Sequence, residues 1–395
     1  MATPTISLDR TEPYRPSPSH LQLRTDAPIS WVTLADGREL WVLTRHEDVR
    51  TMLGDARFSS DRRDPRHPNH MPAAAAPDYR QQLIEMDPPH HTKLRRSVVG
   101  EFTVHRLAAW RPRIQEIVDE AVDAMLAGPR EADLVETLSL PVPSRVISEL
   151  LGVPYADHAF FQESSAGFVR FDATPEERGL AAGQLKSYLA DLVEQKAAAL
   201  KDASPVDDLL GRQLAAGADP EEVKALAFLL LVAGHETTAN MISLSVATLL
   251  DKREHLSALR DDPALTAGAV EELLRYFTIA EIGAARLATE DVEIGGVLIR
   301  AGQGVLALAN TANRDPDVFE APDEIDFTRM ARNHLAFGFG AHQCLGQNLA
   351  RIELEIALAT ILRRIPTLRL AVPFEEIVFK EKGPTYGTVE LKVAW

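Results

Sequence analysis

The chain has 395 residues, 45% of them hydrophobic, and Asp plus Glu outnumber Lys plus Arg by 58 to 42, for a formal net charge of −16. A field of that sign repels phosphate backbones and anionic headgroups, which argues against nucleic acid as a partner. At the N-terminus, Glu12, Pro13, Pro16 and Pro18 stand where a secretion signal or anchor would need a basic stretch and then an apolar one, so the expectation is a cytoplasmic protein without membrane contact.

No Ser/Gly-rich linker, low-complexity tract or internal repeat divides the chain. Residues 1–395 are therefore expected to form one domain, with enough apolar material to enclose a bulky ligand. Residues 32–43 alternate apolar and polar side chains around Asp36-Gly37, a dipeptide that supplies the positive φ of a tight turn, and predict a hairpin. The stretch 65–77, rich in proline and with four consecutive alanines, predicts a mobile lid. Asp87-Pro88-Pro89-His90-His91-Thr92-Lys93-Leu94-Arg95 follows, and on a helix there His91 and Arg95 share a face.

A much longer helix is predicted over 220–250. Asp219 is its N-cap, Pro220 opens it, and Glu221 and Glu222 sit in the first turn, where the helix dipole favours carboxylates. Residues 225–233 are apolar all round, the pattern of a rod buried on every side. Gly234, His235, Glu236, Thr237, Thr238 and Asn240 then interrupt the run, a cluster too costly for a lipid-facing span. Unpaired, each such buried group would cost about 1–3 kcal/mol, so the interruption needs a reason. Gly234 weakens the helix, and the Thr237 hydroxyl can bond the carbonyl one turn back or release it. A widened turn there would admit water or a small ligand; a Thr that only caps its own helix is the plainer alternative. Further on, residues 292–294 and 297–299 flank Gly295-Gly296 and predict a second strand pair, with 302–308 as its continuation.

The only cysteine, Cys344, lies in Phe337-Gly338-Phe339-Gly340-Ala341-His342-Gln343-Cys344-Leu345-Gly346, just before an amphipathic run that opens near Gln347. A zinc-protease helix beginning at His235-Glu236 would need its second histidine at Ala239 and fails. A nucleotide loop fails too, because no Lys-Ser/Thr follows Gly340 and Gln343 stands where a third glycine would be. Cys344 is left as nucleophile or metal ligand, and the amino end of a helix favours a thiolate in either role. Glycines 338, 340 and 346 suit the close approach of a flat, wide ligand to the backbone.

Phe337-x-x-Gly340-x-x-x-Cys344-x-Gly346 resembles the haem-binding signature of the cytochrome P450 family. Ala233-Gly234-His235-Glu236-Thr237-Thr238 is similar to that family's oxygen-side turn, Glu272-Leu273-Leu274-Arg275 to its Glu-x-x-Arg helix, and residues 87–95 to the segment leading into a haem-facing helix. Together these cover the chain from Val32 onward. The resemblance implies a mainly α fold with a minor β region, the cytochrome P450 fold, enclosing haem b with Cys344 as iron ligand. It places Phe337, Gly338, Gly346, Ala233 and Gly234 against the haem, and His91, Arg95, Arg286 and His342 on its propionates. Thr237 and Glu236 become the catalytic pair, the first a hydrogen-bond donor at the reaction centre and the second a proton relay. Glu272, Arg275 and either Arg329 or Arg332 would form a buried ion network, with Asn313-Arg314-Asp315-Pro316 at the entry to the stretch before the haem loop.

The implied activity is that of a haem-thiolate monooxygenase, a monomer that takes O2, a largely hydrophobic small molecule and electrons from a separate ferredoxin-type donor. Lys93, Arg96, Arg106, Arg332 and Arg351 are candidates for steering that donor. The family's pocket walls fall in 62–82, 168–171, Leu229, Val232, Ala233, 278–285 and 386–388, with Glu281 the polar exception. A polyketide, macrolide, terpene or sterol-like substrate fits such walls. Xenobiotic oxidation and a non-catalytic haem-thiolate sensor are the alternatives.

Overall fold

A computed structural model describes the chain except residues 1–3, 8, 9, 11, 35, 70–79, 158, 159, 162, 165–173, 203–205, 281–283, 330 and 381–384. The lid beyond Asn69, the pocket positions 168–171 and Glu281 thus lie outside the described residues. Two compact units are formed, one from 1–95, 264–347 and 379–386, the other from 96–263, 348–378 and 387–395.

The first unit holds a six-stranded sheet whose neighbours run Thr5–Ile6, Ile29–Leu34, Glu39–Leu43, Gly304–Ala307, Ala285–Ala288, Phe58–Ser59. Ile29–Leu34 and Glu39–Leu43 pair antiparallel, with Trp31 opposite Trp41, and Gly37 turns between them at φ +86°. The expected hairpin is there, closed by Asp36 accepting from the Arg38 amide at 3.1 Å. Val292–Ile294 and Val297–Ile299 form the second antiparallel pair, with Gly295 and Gly296 at φ +54° and +78°. The continuation expected at 302–308 goes elsewhere. Gly304–Ala307 is buried at every position and sits inside the large sheet, parallel to Glu39–Leu43 and antiparallel to Ala285–Ala288. A strand hydrophobic on both faces is satisfied in the middle of a covered sheet, not on a two-stranded ribbon.

The helix Thr266–Phe277 carries the unit's ionic core. Its apolar residues Ala269, Val270, Leu273, Leu274 and Phe277 are buried, and so, at 0% exposure, are Glu272 and Arg275. Arg275 meets both Glu272 oxygens at 2.8 Å and donates its remaining N–H groups to the carbonyls of Asn313, Pro322 and Glu324. Of the two arginines proposed as third member, Arg329 reaches Glu272, at 3.1 Å, beside the Asp326 amide at 3.0 Å.

In the second unit the helix Pro220–Asp251 has 32 residues, roughly 48 Å at about 1.5 Å per residue. The Asp219 side chain accepts from the Glu221 amide at 3.1 Å, the cap the sequence specifies. Helices Pro141–Leu151 and Pro175–Lys201 pack along it. Its burial differs from the expectation for 225–233, a stretch that is not buried on every side. Residues 238–250 are buried at every position, whereas 225–237 include the partly buried Ala225, Phe228 and Val232 and the exposed Ala233. Apolar composition fixes how much of a helix is able to be buried; its neighbours decide which part is. The most apolar window is 61% buried, as in the core helix of a soluble protein.

Helix Gln347–Arg364 opens where expected after the cysteine loop and buries Glu353 among Leu349, Ile352, Leu354 and Ile356. The Glu353 Oε2 has no hydrogen-bond partner, and burial lifts its carboxyl from 4.5 to about 8. A carboxyl that stays protonated in the folded state stabilises most below the unfolded value. That contribution fades as pH rises from 4.5 to about 8, amounting to about 5 kcal/mol in all. Relative to wild type, Glu353→Gln should therefore gain stability with rising pH. Urea unfolding at about pH 5 and about pH 8 checks the sign, and a difference that stays flat would contradict it.

Candidate functional site

In the first unit the Cys344 loop is built on backbone bonds. The Cys344 amide donates to the Phe337 carbonyl at 2.8 Å, and that of Gln343 to Gly340 at 3.1 Å, closing a single turn over Gly340–His342. Gly338 and Gly340 take φ +68° and +71°, which only glycine adopts without strain. Their surroundings differ. A Cβ on Gly340 would fall 2.5 Å from the Leu53 carbonyl, so this glycine lets the loop press on the end of helix His46–Gly54. That is a packing reason, not the ligand-approach reason expected for it. At Gly338 and Gly346 an added Cβ would meet no protein atom within 4 Å, as close approach of a flat group requires. Phe339 is held from above by Arg50, whose guanidinium lies 4.3 Å from the ring centre.

Helix His90–Val98 and strand Ala285–Ala288 bring His91, Arg95 and Arg286 to this loop. The His91 and His342 rings lie 4.1 Å apart, and Arg95 donates to the Gln343 carbonyl. Both nitrogens of His91, 1% exposed, lack a hydrogen-bond partner. Arg286, 8% exposed, donates to the carbonyl of its own neighbour Ala285 at 2.7 Å.

The electrostatics of the cluster follow from its burial and its charges. Burial, then the cations of Arg286, His91 and Arg95, push His342 down to about 3. Burial and Arg95 likewise hold His91 below its ordinary value, with Asp87 opposing. Burial lowers Arg286 to about 10, and lowers Arg95 against the opposing pull of Cys344. Two buried donors, His91 and Arg286, and two partly buried ones, Arg95 and His342, with burial and the arginines holding both imidazoles neutral, call for an anion bringing acceptors to them. The two propionates of haem b are such a group, and Cys344 on the adjoining loop offers the sulfur an iron porphyrin would take. The residues present fit the cofactor.

Sequence reasoning missed part of this site. Asp87 accepts from the Ser60 amide at 2.8 Å and from the Ser59 hydroxyl, while Ser60 Oγ lies 3.1 Å from His342 Nε2. This chain fixes His342 from behind. Asp87 stands in the quoted motif, but Ser59 and Ser60 carry no motif that would have marked them.

The second unit carries the other predicted group. The helix runs through Gly234 without a break, so the widened turn is not seen. Thr237 Oγ1 donates to the Ala233 carbonyl at 2.8 Å, as Ser245 and Thr248 do to theirs further along the same helix. What distinguishes Thr237 is its setting: Val232, Gly234, Glu236 and Thr237 are only partly buried and Ala233 is exposed, while His235 and Thr238 are buried. Near the C-terminus a Cβ on Gly387 would collide with the Asn240 side chain at 2.3 Å, so this glycine lets the chain lie against the helix.

Residues 27–367 match the family model described as Cytochrome P450. Among curated relatives, a vitamin D3 dihydroxylase of Streptomyces griseolus is 50% identical over 99% of this chain and 97% of its own length. A pentalenic acid synthase of Streptomyces avermitilis is 49% identical, covering 98% and 96%. The crystal structure of cytochrome P450 MoxA from Nonomuraea recticatena superposes with a TM-score of 0.94 at 50% identity, covering 100% of this chain and 99% of that one. The mainly helical fold with a minor sheet region is thus that of these enzymes.

Proposed function

The chain belongs to the cytochrome P450 family, and from that premise we propose how its own residues serve the reaction and which substrate it takes. It is a haem-containing monooxygenase. When bound, the haem supplies activation of O2 and transfer of one oxygen atom to substrate, a chemistry that thiolate ligation favours. Cys344 provides the sulfur, on a loop whose amide-to-carbonyl bond at Phe337 is already made. His91, Arg95, Arg286 and His342 bind the propionates, and Phe337, Gly338 and Gly346 border the ring. The single observation that carries this assignment is the buried His91, both of whose nitrogens lack a hydrogen-bond partner, set beside His342, Arg95 and the buried Arg286.

Thr237 holds a proton that is able to move. Its hydroxyl gives up the Ala233 carbonyl and donates at the reaction centre, and the half-buried Glu236 beside it passes protons in from solvent. Helix geometry favours the exchange, because the Ala233 carbonyl keeps its ordinary helical acceptor role when the hydroxyl leaves.

The substrate is a sizeable, largely hydrophobic natural product, a polyketide, macrolide, terpene or sterol-like molecule, met in the cytoplasm by a monomeric enzyme. Relatives named for vitamin D3 and for pentalenic acid support that class. Electrons come from a separate ferredoxin-type donor, for which the exposed Lys93, Arg96 and Arg332 offer charge; Arg106 is engaged with Glu101 at 3.4 Å. Matches that run nearly the whole chain support treating residues 1–395 as one catalytic domain.

The test is a spin-state titration of the purified enzyme against compounds of that class, followed by product analysis. Absence of any response across the class would refute the substrate reading. In parallel, Thr237→Ala should retain haem and consume reducing equivalents at a comparable rate, while product per electron falls roughly tenfold or more and peroxide rises. Unchanged coupling would remove Thr237 from the mechanism.

A further inference from the structure

Asn313 is 0% exposed, and each of its polar heavy atoms has a partner. Its carbonyl accepts from Arg275 at 2.8 Å and its amide donates to Ala309 at 2.9 Å. Its side chain reaches in two directions. Nδ2 donates to Thr278 Oγ1 at 2.7 Å, and Oδ1 accepts from the Leu335 amide at 2.7 Å. Thr278 ends the Glu272 helix in the left-handed region at φ +42°, uncommon for a β-branched residue, with its own hydroxyl donating to Arg275 at 2.8 Å.

Leu335 is where the cysteine loop begins. Its carbonyl accepts from the Gly338 amide at 2.9 Å, forming the turn that contains Phe337, and the Phe337 carbonyl receives the Cys344 amide at 2.8 Å. On its far side the loop is stopped by Leu53 at Gly340. One end of the loop thus bears on a helix end through packing; at the other, the Leu335 amide is tied to the ion-network residue Asn313 through its side-chain oxygen, beside His334, which lies 3.2 Å from Glu271 and accepts from the Ala336 amide at 3.1 Å. We propose that Asn313 is a positioning residue for Cys344: by holding the Leu335 amide it fixes the turn whose carbonyl sets the cysteine backbone, and so the direction of the sulfur. The inference rests on Cys344 being the haem ligand. An outer partner that orients a metal ligand is typically worth about 10–100-fold in affinity or activity.

Asn313→Ala, Asn313→Asp and Thr278→Val separate positioning from general support. Asn313→Ala removes both side-chain bonds. Asn313→Asp keeps an acceptor for the Leu335 amide, and Thr278→Val removes the other bond while preserving shape at the left-handed position. Each variant is purified with haem, its thermal midpoint measured, and the reduced, CO-bound spectrum recorded along with the rate at which haem passes to apomyoglobin. For Asn313→Ala the expected result is partial replacement of the thiolate-shifted Soret band by the unshifted one and haem loss about tenfold faster or more. Asn313→Asp and Thr278→Val should keep the shifted band even where their midpoints fall.

The inference is overturned if Asn313→Ala keeps the shifted band and wild-type haem loss, or if Thr278→Val loses the band equally at an equal midpoint. Should Asn313→Ala not accumulate, Asn313→Asp decides, since loss of the band with the acceptor still present overturns the proposal and its retention supports it. A wild-type enzyme without the shifted band would instead sink the assignment of Cys344 itself, so the two failures are distinct.

Discussion

Cys344→Ser is expected to fold with an essentially unchanged thermal midpoint and to lose the thiolate signature of the reduced, CO-bound enzyme completely. The backbone bond from residue 344 to the Phe337 carbonyl does not involve the side chain, so the loop keeps its shape, and serine is nearly isosteric with cysteine. The donors proposed for the propionates, His91, Arg95, Arg286 and His342, are untouched by the substitution, so haem is expected to be retained in part. What vanishes is the anionic sulfur that donates electron density to the iron. Monooxygenase turnover should fall by more than the roughly 10–100-fold typical of losing a mere supporting contact to a metal ligand. The measurement is the paired spectrum and product yield. A shifted Soret band in the serine variant would mean that another group is the ligand.

Glu272→Ala is expected to cost about 3–5 kcal/mol, a large share of a native stability of about 5–15 kcal/mol. Glu272 receives two bonds from Arg275, one from Arg329 and one from the Asp326 amide, all at 3.1 Å or less, with no exposure to water. Its removal leaves the Arg275 cation buried among carbonyls and the Phe319 and Tyr276 rings with no carboxylate bonded to it. The same pair on a helix surface would be worth a few tenths of a kcal/mol. Arg329 is partly exposed, so Arg329→Gln should cost about 1 kcal/mol. Chemical unfolding followed by circular dichroism measures both, and a Glu272→Ala loss below about 1 kcal/mol would show that solvent reaches the site after all.

Several parts of the fold and of the site were legible in the sequence because they depend on local spacing. Asp219 before Pro220 fixes a helix start wherever that helix lies; Asp36-Gly37 needs nothing beyond its own strands to make a hairpin. The interval from Phe337 to Gly346 sets a loop that turns an amide onto a carbonyl ahead of a helix. Such features are decided within a few residues, so periodicity and turn chemistry reveal them. The resemblance carried by four motifs then supplied the family, the cofactor and the reaction class.

Tertiary structure alone settled the rest. Composition could not tell Arg329 from Arg332, because which one reaches Glu272 depends on the path of the chain from Pro322 onward. Nor could it put Gly304–Ala307 in the middle of the large sheet, since an apolar strand is equally content with any two covering faces. The central helix is sealed over 238–250 and partly open over 225–237, a matter of neighbours that no hydropathy pattern encodes. Gly340 has its glycine for Leu53, and Asn313 has its amide for both Thr278 and Leu335, partners that are far off along the chain. Local sequence determined which groups this protein has for binding a haem thiolate; long-range packing decided which of them are held still.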